Sequence, residues 1–283
     1  MMSYMDHIIL CNRHNLQPFK PFRVDGVTIG HVRPTIAKEI LNQPEIFLES
    51  EEGLVFTHTL KGFEKRSVAM ASAIAGLAEK SLLPPVRGEF YPVAATFSDD
   101  PFFQLDRTAI PGFGIRAFGI HVNGFVRKPD GTIDMWIARR AKDRIAYPSM
   151  LDNMVAGGQP IGLSLRENVI KECAEEADIP AELAAHAYST GAISYIHEAA
   201  DGLKPDTMFC YDLELPENFV PRNTDGEVET FYRLPLEEVA EIVETTFEFK
   251  FNCNLVIIDF LIRHGFLPPD HPDYARLIRG LRQ

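Results

Sequence analysis

The sequence predicts an α/β chain in two parts, an α+β unit over residues 1–112 followed by a second unit of strands and helices over residues 113–283. Three observations point there. Runs that alternate apolar and polar residues are interleaved with runs of helical period. Turn formers concentrate at Pro111-Gly112-Phe113-Gly114, after which the strand patterning becomes regular. A chain of 283 residues, 46% hydrophobic and 24% charged, is also long enough for two cores.

In the first unit a short helix is expected over residues 5–13. Residues 19–30, FKPFRVDGVTIG, carry the aromatic, β-branched and Asp-Gly pattern of strand, turn, strand. Thr35 stands as the cap of a helix running to Leu41, with Pro34 before it. Residues 48–60 read as strands broken by the turn Glu51-Glu52-Gly53. The strongest helix here covers residues 63–82, with Val68, Ala71, Ile74, Ala75 and Ala78 as its apolar stripe and Pro84-Pro85 as its stop. Residues 94–106 are rich in phenylalanine; Phe97, Phe102 and Phe103 are read as core or interface packing in preference to a stacking platform.

In the second unit, residues 115–127 and 132–139 are strands joined by the turn Lys128-Pro129-Asp130-Gly131. His121 and Asn123 share one face of the first strand, opposite Ile120 and Val122. His121 is a candidate substrate contact, against the plainer reading of a hydrogen-bonded sheet histidine. Arg139, Arg140 and Lys142 follow the second strand; there a cation meets either a phosphate or water, and Arg139 is taken as the substrate-binding candidate. Residues 187–197 and 206–215 are further strands, and residues 216–225 form a polar loop. Residues 227–234 alternate, so Glu227 and Glu229 project from one side. Pro235 opens a helix to Ile242, residues 251–263 form another with Leu255, Ile258, Leu261 and Ile262 inward, and residues 272–281 form the last.

Composition excludes several classes. With 28 basic and 40 acidic side chains the net charge is −12, the wrong sign for a protein held on nucleic acid by counterion release. No run is long and apolar enough to span a membrane, and the N-terminal residues lack the basic lead and apolar stretch of a signal peptide, so the expectation is a cytoplasmic protein without membrane partner. Cys11, Cys173, Cys210 and Cys253 form no CxxC and are read as reduced packing residues. Walker A, EF-hand, GxGxxG and GxSxG patterns are absent.

What remains is residues 157–179, GGQPIGLSLRENVIKECAEEADI, a glycine-rich turn directly before a helix. At about 100° per residue, Glu172, Glu175 and Glu176 fall on one side, with Ile170, Cys173, Ala174 and Ala177 opposite on a core-facing stripe. Crowded carboxylates repel one another, and a hard divalent cation, Mg2+ or Mn2+, is the usual compensation. Such a cation bridges phosphate oxygens and activates water for attack on phosphorus. Glycine permits close backbone approach, so the Gly157 carbonyl is a candidate fourth ligand.

The spacing resembles the box of the Nudix family: glycine, five residues, Glu, seven residues, then Arg-Glu-apolar-x-Glu-Glu-x-Gly-apolar. Counted from Gly157, Lys171 stands at the arginine position, and Glu172, Cys173, Glu175, Glu176 and Ile179 occupy the following ones. Leu163 replaces the first Glu, Lys171 the Arg and Asp178 the Gly; Glu167 is expected to restore an ion pair with Lys171 one turn on. The resemblance implies an α/β/α sandwich for residues 113–283 and a catalytic set of Lys171, Glu172, Glu175, Glu176 and a further glutamate, Glu227 in preference to Glu229. Metal would be held by Glu172, Glu175, Glu176 and the Gly157 carbonyl.

A narrower resemblance joins YPSMLDNMVAGG, which contains Asn153, to FGIHVNGFV and RGEFYPV. Together they are similar to the thiamine-diphosphate-related Nudix subgroup, whose N-terminal extension occurs fused to thiamine pyrophosphokinase in fungi. This implies Mg2+-dependent cleavage of an organic diphosphate, thiamine diphosphate or altered forms of it, to the monophosphate. Asn153, His121 and Arg139 are then its substrate contacts. The rival readings are a Nudix-fold binding or sensor module without turnover, and a diphosphate isomerase. A small-molecule diphosphate is the expected partner, and for self-association a homodimer.

Overall fold

A computed structural model describes residues 2–283. Helix α1 (Tyr4–Cys11) leads into a four-stranded sheet of β1 (Lys20–Val24), β2 (Val27–Val32), β3 (Phe47–Ser50) and β4 (Gly53–Phe56), in the order β2-β1-β4-β3. Helix α2 (Pro34–Ile40) lies between β2 and β3 in the chain. Arg33, not Thr35, is its N-cap, because Pro34 fits the first helical turn, where no donor is needed. Helix α3 (Phe63–Glu79) follows. Its buried face carries Met70, Ala73, Ile74 and Leu77, whereas Val68, Ala71 and Ala75 are exposed. The predicted stripe gave alanine the weight that Met70 and Leu77, with more surface to bury, carry.

A hairpin of β5 (Phe90–Val93) and β6 (Phe103–Asp106) and the short α4 (Ile110–Phe113) complete the segment. The core of this part packs Phe22, Phe47, Phe56, Phe103 and Phe113 around Met70 and Leu77. Phe103 is thus core, as read; Phe97 packs its edge against Phe118 and Phe209, across the junction between the two parts.

The second part is built on a seven-stranded sheet. β7 (Phe118–Arg127), β8 (Ile133–Arg140), β9 (Leu151–Asn153), β10 (Val155–Gly158), β11 (Tyr188–Ser194), β14 (Thr207–Glu214) and β15 (Val228–Pro235) form it. The main order is β11-β14-β7-β8-β15, with β10 on β7 and β9 on β8. The small hairpin β12 (His197–Ala199) and β13 (Gly202–Lys204) is inserted between β11 and β14. Helices α5 (Leu165–Ala177) and α6 (Ala181–Ala184) follow β10, and α7 (Leu236–Thr245), α8 (Cys253–Arg263) and α9 (Tyr274–Gly280) follow β15.

Strand alternation sorts the sheet into two cores, as an α/β/α sandwich requires. Ile120, Val122, Val126 and Trp136 meet Val169, Cys173 and Ala177 of α5. Phe125, Met135 and Ile137 meet α7 and α8 on the other face. Helix α1 joins this second core through Tyr4, Ile8 and Cys11, so the chain's first helix packs with its last ones. All four cysteines are free and buried.

A polar relay crosses the α8 side of the sheet. His121 Nδ1 donates to Asn153 Oδ1 (2.8 Å), Asn153 Nδ2 to Asn123 Oδ1 (3.2 Å) and Asn123 Nδ2 to Asp212 Oδ1 (3.1 Å). Asp212, fully buried, also accepts both amino groups of Arg263 (2.6 and 3.0 Å) and His264 Nε2 (3.0 Å). Such a pair is costly to break, because removing one partner leaves the other buried and unpaired. Asp212→Ala should therefore lower the stability by about 3 kcal/mol, read as a shifted urea midpoint. A loss below about 1 kcal/mol would show that Arg263 finds water instead.

Candidate active site

Strand β10 and helix α5 make the site from the two sides of one turn. Ser164 caps the helix: its hydroxyl accepts the Glu167 N–H at 3.2 Å, and the Glu167 carboxylate accepts the Ser164 N–H at 2.8 Å. The expected Glu167–Lys171 pair is therefore not formed. Lys171 Nζ instead reaches Glu175 (2.6 Å) and Glu172 (3.2 Å). At the far end Asp178 has φ 54°, the left-handed conformation in which a helix commonly closes, and pairs with Arg222 at 2.5 Å. That conformation explains why glycine suits the position and why Asp, a tolerated alternative, stands in for it.

The carboxylates of α5 are graded in burial. Glu176 is only 8% exposed and its Oε2 accepts the Ala156 N–H at 2.9 Å. Ala174, expected inward, is on the exposed side; Glu176 takes a buried place on the inner face. Glu172 is half-buried with its carboxylate against Gly157, where an added Cβ would overlap it. Glu175 is exposed. Burial holds the Glu176 carboxyl well above the usual range, and the charges of Asp152, Glu172 and Glu227 add to it. Burial raises Glu172 as well, against the opposing pull of Lys171.

These groups line a cavity of about 470 Å³, a size that suits a small organic ligand. Glu227 lines it too, in an ion pair with Arg144, while Glu229 is exposed and outside it. Arg139 is not on its wall: the guanidinium lies over the Tyr232 ring and donates to Ser149 O at 2.8 Å. Arg140, one residue on and so on the opposite face of the strand, lines the cavity in its place. His121 reaches the wall but is held within the sheet, and burial lowers its pKa to about 4. Asn153 does not line the cavity; it orients His121.

Several residues on the wall were not singled out from the sequence. Lys250 and Lys204 join Arg140 there, with Tyr147 and Phe251 5.4 Å apart between ring centres. Asp152 accepts from Arg140 (2.8 Å), sits 3.6 Å from Lys250 and accepts the Cys253 thiol at 2.7 Å. Burial alone would raise its pKa, but Lys250 and Arg140 bring it down to about 2. One of its oxygens, a ring nitrogen of His121 and the Cys253 sulfur lie within 4.8 Å of one another, a set of metal-ligand types in which Cys253 already donates to Asp152 and His121 to Asn153. Asp206 accepts the Tyr195 hydroxyl at 2.9 Å, and burial lifts it to about 6. The first part of the chain adds Glu89, Tyr91 and Arg107. Glu89 and Tyr91 lie in the RGEFYPV segment and Tyr147 and Asp152 in YPSMLDNMVAGG, but no role was assigned to them there; strands and loops distant in sequence bring these residues together.

A helix armed with carboxylates against a glycine strand, inside an α/β/α sandwich, is the arrangement that the resemblance of the box implies. The chain is 40% identical over its whole length to Nudix hydrolase 20, chloroplastic, of Arabidopsis thaliana, covering 78% of that protein. It is 32% identical to an uncharacterized protein of Saccharomyces cerevisiae, over 92% of this chain and 81% of that one. The chain belongs to the Nudix hydrolase family. Residues 3–117 match a family described as a domain of unknown function, DUF4743. Among solved structures, the NUDIX domain of Shewanella oneidensis NrtR complexed with ADP ribose aligns with a TM-score of 0.42 at 15% identity, over 56% of this chain and 93% of that one.

The Asp152 cluster makes a pH prediction. A carboxylate whose folded pKa is depressed stabilises the fold above its unfolded value and loses that contribution as pH falls through the folded one. Between the ordinary value of 3.8 and about 2 the urea midpoint should fall, and Asp152→Asn, itself less stable, should show a shallower slope over that window. Parallel slopes in the two proteins would remove Asp152 from the account.

Proposed function

We propose that this hydrolase is a pyrophosphohydrolase that cleaves an organic diphosphate with the help of a divalent cation held by Glu172 and Glu176, with Glu175 and the Gly157 carbonyl beside them. The observation that carries the reading is the grading of the ridge: two carboxylates held partly or wholly out of water in one cavity, both pushed towards the protonated state by burial. An oxygen-only donor set with a backbone carbonyl at hand fits Mg2+ or Mn2+. When bound, such a cation neutralises phosphate charge and activates water for attack on phosphorus.

The chain's own residues supply the rest. Ala156 N–H fixes the Glu176 carboxylate, and Gly157, lacking a Cβ, leaves room for Glu172. Lys171 spans Glu172 and Glu175 and holds the ridge together where arginine stands in the family pattern. Glu227, on the wall and paired with Arg144, or Glu172, accepts the proton of the attacking water. Cations of the cavity wall receive the negative charge of the phosphates, since phosphoryl transfer asks chiefly for positioning and charge neutralisation.

For the organic half we favour a flat heteroaromatic group, with thiamine diphosphate or its altered forms as the leading candidate. The resemblance of the YPSMLDNMVAGG, FGIHVNGFV and RGEFYPV segments supports it, as do the Tyr147 and Phe251 rings and the Asp206 carboxylate on the cavity wall. A mass-spectrometric screen of thiamine diphosphate, its oxidised analogues, ADP-ribose and nucleoside diphosphates with Mg2+ or Mn2+ should find a monophosphate product. Glu172→Gln and Glu176→Gln should each lower kcat by about 100-fold or more with melting temperature and circular dichroism retained. Turnover equal to wild type in both would reject the site, and binding without turnover would favour a sensor.

A further inference from the structure

The segment of residues 3–117 is physically stitched to the glycine strand. The backbone carbonyl of Phe90, in β5, accepts the N–H of Ile161 at 2.9 Å, three residues beyond Gly158. The Tyr91 ring lies against Gly158 so closely that an added Cβ there would overlap its hydroxyl. Tyr91 is buried and lines the same cavity as Glu89, Arg107, Glu172 and Asp206. Just after β6, Arg107 anchors its backbone N–H on Glu89 O at 2.9 Å, and its guanidinium meets the Glu89 carboxylate at 2.5 Å. Asp106, buried, locks this corner by accepting the N–H groups of Arg87, Gly88 and Thr108 at 2.8 to 3.0 Å. The result is a cation held at a fixed point on the cavity wall by a segment outside the sandwich.

Resting on the hydrolase reading above, we propose that this first segment is a working half of the active site: Arg107, aimed by Glu89, binds the negatively charged diphosphate of the substrate in the cavity that the α5 carboxylates line, while Tyr91 seats the segment on Gly158. The charge pattern favours such a group. The α5 ridge and Glu227 are acidic, and two of the cations on the same wall, Arg140 and Lys250, are turned to Asp152. Arg107 has a single carboxylate partner, is 39% exposed in its side chain, and lies in the field of Glu227. A planar guanidinium suits phosphate oxygens, two of which it engages at once. Glu89 acts through Arg107 and Tyr91 through the glycine strand, and both are positioning residues.

The full chain is the material for the test. With thiamine diphosphate or whichever diphosphate the screen finds turned over, Arg107→Ala should raise KM at least tenfold at unchanged melting temperature, and Arg107→Lys should recover part of the loss. Glu89→Gln should raise KM by a smaller factor, with kcat little changed. The exposed Lys20→Ala, in the Lys20–Glu49 pair remote from the cavity, should do nothing. A second readout does not need turnover: titration with methylene diphosphonate and Mg2+ should show at least tenfold weaker binding to Arg107→Ala than to wild type. KM and diphosphonate affinity within twofold of wild type would overturn the proposal while leaving the hydrolase reading intact. Should wild type turn over no diphosphate yet lose diphosphonate binding on Arg107→Ala, the hydrolase reading fails and the anion site stands. Absence of both turnover and binding in wild type would sink both.

Discussion

The constraint on which the rest depends is a stretch of strand with no side chains. Gly157 and Gly158 are approached from opposite quarters, by the Glu172 carboxylate of α5 and by the Tyr91 hydroxyl of β5. A methyl group at either place would push one of them away. The backbone of β10 is thus the meeting surface of the helix that carries the acids and the segment that carries a cation. It is fixed from beneath by pairing with β7 and at its end by Asn168 Nδ2, which donates to Gly158 O at 2.8 Å.

Burial then sets the chemistry. Had the three carboxylates of α5 been equally exposed, they would be an ordinary solvated face. Instead Glu176 is sealed, Glu172 half-sealed and Glu175 exposed, and the two inner ones are held towards the neutral form. Behind Arg140 and Lys250 of the wall the opposite arrangement holds: Asp152 is kept ionised by Lys250 and Arg140 although burial opposes it. The wall therefore carries acidic and basic groups together, a lining suited to taking in a cation and an anion.

The two parts of the chain share this cavity, and their chain order does not match their packing. Helix α1 lies in the core with α8 and α9, the hairpin β12–β13 rests on α4, and Arg33 N–H and His31 N–H donate to Gly112 O and Gly114 O. A structure tied at so many points gives the N-terminal segment little freedom relative to the sandwich.

Local order was legible in the sequence because it depends on neighbours along the chain. The strands, the Lys128–Gly131 turn, the glycine turn before α5 and the acidic triplet on it all follow from short-range patterns, and the Nudix spacing rests on the same run. Where neighbours were weak signals the reading slipped, as with the alanines of α3 and α5, which have too little side chain to fix a face, and with Glu167, drawn back to its cap. Long-range partners were another matter. That Arg140 faces the cavity and Arg139 does not is a half-turn of strand phase. That Glu89, Tyr91, Arg107, Asp206 and Lys250 share a cavity with the α5 carboxylates follows from loops closing over 30 residues or more, longer than any local pattern of the sequence. The sequence by itself determined which groups exist and on what elements; only tertiary packing decided which of them lose water, and loss of water is what separates a reactive carboxylate from a surface charge.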